Sequence, residues 1–195
     1  MEQSVRAVCG AVFIAAWYIG VVAIFYTVIE TIAVISFASF VFASGKILVR
    51  IKEPLIVRPA ALSAKGVTPH ATFRLIGADR CLFRESGPGL LFMRFTGPFF
   101  LKGTMAFRDG HAVTIGRLAV GPSVLYVAFL TGWTAGGLGL LLQDGSSALG
   151  GVVLFLLLGW GILGVLAAVS IVFARRYFYR SYSEVRAALQ PTILL

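Results

Sequence analysis

Acidic residues are scarce in this sequence. Eight of its 195 residues are Asp or Glu, against 17 Lys and Arg, for a formal net charge of +9. Charged residues of both signs make up 13% of the chain, about half the share of an average soluble domain. Between Ala7 and Gly45 there is no Lys, Arg or Asp, and Glu30 is the only charge. Cysteine is nearly missing as well. Cys9 and Cys81 make no disulfide framework, and neither lies in a CxxC or Cys/His cluster. Cys9 is not expected to be a lipoprotein anchor, because Arg6 precedes it closely with no apolar segment upstream. His70 and His111 are the only histidines, with no carboxylate or thiol at ligand spacing, so no metal site is expected. GxSxG, HExxH and P-loop patterns are absent, and "SGPGLL" (Ser86 to Leu91) lacks the Lys and Ser/Thr of a phosphate cradle. These absences leave no catalytic constellation and no expected cofactor.

What is abundant is apolar. Hydrophobic residues are 58% of the chain and mean hydropathy is +0.92, the composition of an integral membrane protein. The first apolar run is too long, and its basic leader too weak, for a cleaved signal peptide, so it is expected to stay in the mature protein. One helix over residues 7–45 would be roughly 58 Å long, almost twice a hydrocarbon core of about 30 Å. Two spans near 7–26 and 31–48 are expected instead, with Thr27, Glu30 and Thr31 at the tip of the hairpin, where a carboxylate reaches water cheaply. The competing reading makes Glu30 a proton- or cation-handling carboxylate, or part of one long helix.

Residues 49–120 change character and read as a basic, β-rich domain. Residues 46–120 hold twelve Lys/Arg against Glu53, Asp79, Glu85 and Asp109. "ATFRLIG", "CLFRESGPGLLFMRF" and "GTMAFRDGHAVTIGRL" alternate as strands do, and Asp109-Gly110 marks a hairpin. A two-residue turn pairs Arg108 with His111 and Phe107 with Ala112. Counting Arg108 into the turn pairs Phe107 with His111 and gathers Met105, Val113 and Ile115 on one face, so a bulged turn is expected. "RESGPGL" and "TGPF" read as further turns.

Spans are predicted near 121–142 and 151–174, joined by the polar loop "QDGSSALG" into a second hairpin. "ARRYFYRSY" (Ala174 to Tyr182) has the basic-aromatic composition of a helix end at lipid headgroups. Over residues 175–195, Phe178, Tyr182, Val185 and Leu189 recur at helical spacing opposite Arg176 and Arg180, predicting an interfacial amphipathic tail. Neither predicted turn carries Lys or Arg. Positive-inside therefore places both termini and the β domain in the cytoplasm, with four transmembrane helices as two hairpins around an inserted small β domain.

Small residues point to helix packing: Ala7, Ala11 and Ala15 at spacing four, Gly132 and Gly136 as a GxxxG, and Gly159, Gly161 and Gly164 in the last span. They pack the bundle itself or receive another membrane subunit. Trp17, Trp133 and Trp160 fall near span centres, where they should pack on glycines and find internal acceptors. Lys46, Arg50, Lys52 and Arg58, with Arg175, Arg176 and Arg180, form basic clusters suited to anionic headgroups or a partner. Arg74, Arg84, Arg94 and Arg108 interleave with aromatics as in a base-stacking sheet, but strand alternation alone produces the same pattern, and nucleic acid is disfavoured.

The stretch from Phe99 to Trp133, with its Gly103 turn, the strand pair around Asp109-Gly110, the "GPSVLYVAFLTGW" run and the "ARRYFYR" end, resembles small bacterial multi-spanning membrane proteins. In those a short β-rich segment leads into a C-terminal hairpin. The resemblance implies that architecture and a bacterial inner membrane, and no chemistry. The expected function is a non-enzymatic accessory, assembly or scaffolding subunit with a protein partner or a second copy in the membrane. The alternative is a transport-related protein handling a proton, ion or lipid.

Overall fold

The computed structural model describes residues 2–54, 65–77, 79–86, 100–108, 110–144 and 149–189. They form two compact units, Met1–Val28 with Gly121–Ala168, and Ile29–Val120 with Val169–Leu195.

The first unit is helical. It takes most of α1 (Glu2–Ile35), α3 (Val120–Asp144) and the apolar part of α4 (Leu149–Leu189). These three helices, among the described residues, are long and apolar enough to cross a membrane. The expected first hairpin is not there. Helix α1 runs unbroken through Thr27, Glu30 and Thr31; residues Ser39–Ala43 form only the short α2, and residue 47 already begins a strand. Two causes are visible. No Gly, Pro or Asn lies between Val21 and Ile35 to break the helix, and the Thr27 hydroxyl donates to the Ala23 carbonyl one turn back (2.7 Å), which satisfies it within the helix.

Glycine sets the helix contacts. A Cβ on Gly132 would touch that of Ala16, one on Gly136 would touch the Phe13 ring, and one on Gly159 would strike the Trp133 indole. Trp133 stacks on Phe155 (4.2 Å between centroids) and donates to the Phe155 carbonyl (3.4 Å), while Trp160 donates to the Thr134 hydroxyl (3.0 Å). The polar edges of these two indoles are therefore satisfied between α3 and α4. Trp17 is instead 68% exposed, with Tyr18, Phe25 and Leu157 similarly bare. So much exposed apolar surface is consistent with lipid as the surrounding solvent.

The second unit is built on a six-stranded antiparallel sheet. Its strands are β1 (Ile47–Pro54), β2 (Lys65–Val67), β3 (Ala71–Ile76), β4 (Arg80–Glu85), β5 (Leu101–Arg108) and β6 (His111–Leu118), in spatial order β1-β6-β5-β4-β3-β2. Arg108 pairs with His111 and Phe107 with Ala112, so the turn has two residues and the expected bulge is absent. Gly110 takes the positive φ (+71°) that such a turn requires. The register follows from packing. One face must admit the rings of Phe83, Phe107 and Phe178, and the two-residue turn sets the small residues Ala112, Thr114 and Gly116 beneath them. The bulged register would have crowded that face with Val113 and Ile115.

One row across the sheet shows the device: Val49, Gly116, Gly103, Phe83, Phe73 and Gly66 are successive partners. The Phe83 ring lies over Gly103 and the Phe73 ring over Gly66, while Phe178 of α4 covers Gly116 and stacks on Phe83 (5.4 Å). A ring laid across a strand glycine replaces the side-chain packing that the glycine lacks.

The end of α4 covers this face. Phe178, Tyr182, Val185 and Leu189 are all buried, so the stripe expected to lie in the headgroup region is used by protein instead. Arg186 reaches Glu53 on β1 (2.9 Å), and Glu184 reaches His70, which precedes β3. The opposite face is only partly covered. There the end of α1 and α2 form a core of Ala33, Val34, Phe37, Val41 and Phe42 around Leu82 of β4.

Candidate functional site

Two features of the sheet unit concern charge: one buried ion pair and one open cationic face. Glu30 and Lys102 are the only fully buried charges among the described residues, at 1% and 0% exposure. Lys102 stands on β5 and donates to Glu30 Oε1 (2.5 Å) and to the Ser44 hydroxyl (3.2 Å). The same Glu30 oxygen accepts the N–H of Val120, first residue of α3 (3.0 Å). A carboxylate there satisfies a donor that the helix start leaves open and complements its positive end. The pair thus ties together the end of α1, the segment after α2, β5 and the start of α3. In sequence, the lone acid of an apolar run and the lone Lys of "FFLKGTM" are each unexplained; only a mutual pairing explains both.

Just after α1, Phe37 takes the left-handed region (φ 58°), a strained conformation for a bulky residue. Its ring stacks parallel to Phe42 (5.9 Å), and the Arg84 guanidinium sits over it (5.3 Å). Burial lowers the pKa of Arg84, and its Nε has no hydrogen-bond partner.

The clasp holding α4 is polar. The Glu184 carboxylate accepts from the backbone N–H of His70 (2.7 Å) and meets the His70 ring nitrogen Nδ1 (2.5 Å), and Ser181 donates to the His70 carbonyl (2.9 Å). Desolvation alone would raise the Glu184 pKa, but hydrogen bonds from Thr68 and His70, with the His70 charge, hold it below the ordinary carboxylate range. Burial, then the hydrogen bond and charge of Glu53, push the Tyr182 phenol well above its usual value. Burial also pushes the Cys81 thiol up to about 12. Burial thus favours the neutral forms of the Tyr182 phenol and the Cys81 thiol.

Strand alternation sorts the remaining charges. The two strand carboxylates, Glu53 and Glu85, lie in register with Ala112 and Ala71 on the α4-covered face. Arg50, Lys52, Lys65, Arg74, Arg80, Arg84, Arg108 and Arg117 all fall on the other face, as does the neutralised Lys102. Arg50, Lys52, Lys65, Arg74, Arg80 and Arg108 are exposed, and none forms an ion pair among the described residues. Among the described residues, the exposed strand charges of this face are therefore all positive.

Of the basic residues singled out from sequence, Arg50 and Lys52 belong to this face. Lys46 is exposed just before β1, Arg175, Arg176 and Arg180 are exposed on α4 beside its buried stripe, and Arg58 lies outside the described residues, as do Arg94 and the "TGPF" turn. The aromatics interleaved with Arg74, Arg84 and Arg108 are on the covered face, which removes the stacking platform that single-strand binding would use. Among the small residues, Gly132, Gly136 and Gly159 sit at helix contacts; Gly161 and Gly164 meet nothing, and Ala7, Ala11 and Ala15 are exposed. The buried alanines of α1 are Ala16, Ala23 and Ala33.

No family model, curated protein or solved structure matches this chain, and the likeness seen over residues 99–133 rests on its own residues.

Proposed function

We propose that this protein is a non-enzymatic docking subunit, anchored in a bacterial inner membrane by its helical unit and recruiting an anionic partner on the open face of its sheet. One observation carries the reading: the strands sort their charges by face, with both acids on the face that α4 packs against and eight bases on the other, none of them in an ion pair among the described residues. Random placement has no reason to do this, and eight like charges repel unless a partner compensates them. The transport alternative asks Glu30 for a free carboxylate, and its pairing with Lys102 weighs against that role.

The reading includes a membrane topology. If α1, α3 and α4 each cross once, the odd number of crossings puts the N-terminus opposite the sheet and the end of α4. Twelve basic residues of 46–120, together with Arg175, Arg176, Arg180 and Arg186, then share the cytoplasmic side, and Arg6 alone faces outward. This moves the N-terminus from the side expected with four spans.

The test is crosslinking in intact membranes. Wild-type protein should yield a heteromeric adduct that persists in Arg175→Glu/Arg176→Glu and vanishes in Arg50→Glu/Lys52→Glu. An adduct indifferent to both double changes, or none at all, refutes docking on this face. Single cysteines at Gln3 and Arg74 should label from opposite sides of the membrane.

A further inference from the structure

Resting on that docking reading, we infer that the occupant of the open sheet face is an acidic, amphipathic polypeptide segment of another protein, lying in a trough between β1 and β4. The register defines the trough. Its floor is formed by Thr104 and Ala106 of β5 beside Val113 and Ile115 of β6, all half-buried and all short. Arg50 pairs with Ile115 and Lys52 with Val113, so both stand on β1 along one side. Arg80 pairs with Ala106 and stands on β4 along the other. Arg108 and His111 close one end.

Three strand steps at ~4.8 Å separate the two cationic sides by about 14 Å. That width accepts one helix, whose diameter with side chains is about 10–12 Å, or one extended strand. Acids on both flanks of such a segment would meet Arg50, Lys52 and Arg80, and an aliphatic stripe would cover Val113 and Ile115. The helix-in-groove mode combines these same two ingredients.

Other anionic occupants fit less well. A bilayer surface is flat and would rest on the long cationic side chains without reaching the short floor. The floor's two larger aliphatic residues, Val113 and Ile115, are half-buried between the cationic sides rather than projecting beyond them to enter lipid. Among the described residues the strands offer nucleic acid no ring to stack on, because Phe73, Phe83 and Phe107 are buried on the opposite face. Residues 55–64, 87–99, 145–148 and 190–195 contain no Asp or Glu, and Asp109, an acid that also lies outside the described residues, cannot by itself offset the six exposed bases of this face.

The experiment places a photo-crosslinking amino acid at Val113 of the full-length protein in its native membrane. The adduct is then analysed for peptide, lipid and RNA. We expect a peptide adduct whose crosslinked segment is rich in Asp and Glu at helical or alternating spacing. Its yield should fall about tenfold in Arg50→Glu/Lys52→Glu and recover when acids of the captured segment are changed to Lys. A charge-dependent adduct to anionic lipid, or one that ribonuclease removes, overturns the polypeptide inference and leaves docking on this face intact. An adduct insensitive to the charge reversal, while the double variant still elutes as one folded species, overturns both.

Discussion

Glu30 and Lys102 lie seventy-two positions apart in sequence and 2.5 Å apart in space, each removed from solvent. Two desolvated charges stabilise a fold only when well partnered, and Ser44 and the Val120 N–H supply the additional partners here. Either single change, Glu30→Leu or Lys102→Met, should therefore cost about 3–5 kcal/mol, since it strands the other charge. Combining the two should recover much of that loss, because an apolar pair of similar size needs no compensation. Thermal melts of the detergent-solubilised variants measure the coupling. Additive losses would show that the two side chains do not stabilise one another.

The sheet depends on glycines beneath aromatic rings. Gly116→Ala would place a methyl group 2.8 Å from the Phe178 ring, and Gly103→Ala would drive one into Phe83. Each ring is packed from above, so the strain should cost about 1–3 kcal/mol. Gly139→Ala meets nothing within 4 Å and should be nearly neutral. Equal melting temperatures for all three variants would show that the rings move aside freely.

Much of this architecture was legible in the residues, and what was missed shares one cause. The apolar runs behind α3 and α4 and the alternation behind β3 to β6 are local signals, and the structure has helices and strands at those places. The stripe of Phe178, Tyr182, Val185 and Leu189 also gave the buried face of its helix correctly. Its partner was a matter of tertiary structure: a sheet with exposed glycines needed a cover more than the lipid interface did. Glu30 failed for the same reason. A lone acid in an apolar run looks like a turn until a lysine seventy-two residues later is known to reach it. The hairpin register depended on which face α4 covers, and nothing in "AFRDGHAV" says that.

The clasp between His70 and Glu184 gives the sheet unit an acid sensitivity of definite sign. The folded state depresses the Glu184 pKa, so the clasp contributes fully above the ordinary carboxylate range and is lost as pH falls through the depressed folded value. Wild type should melt higher than Glu184→Gln near neutral pH. That gap should close progressively below about pH 4 as the carboxylate protonates. A gap independent of pH would mean that the carboxylate charge contributes nothing to holding α4.

Cys81 reports whether the sheet unit is closed. It is fully buried on the face beneath α4, and with its thiol pushed up to about 12 almost none of it is thiolate near neutrality. In Cys9→Ser protein a maleimide at about pH 7–8 should therefore label Cys81 only in molecules that have opened. Shortening Phe178 to Ala removes the ring lying over Gly116 and against Phe83, and the aromatic loss should destabilise the unit by about 3–5 kcal/mol. If opening is rapid compared with labelling, the rate should rise by the same free energy, about two orders of magnitude or more. Labelling that is fast in wild type, or unchanged by Phe178→Ala, would mean that α4 does not seal this face of the sheet.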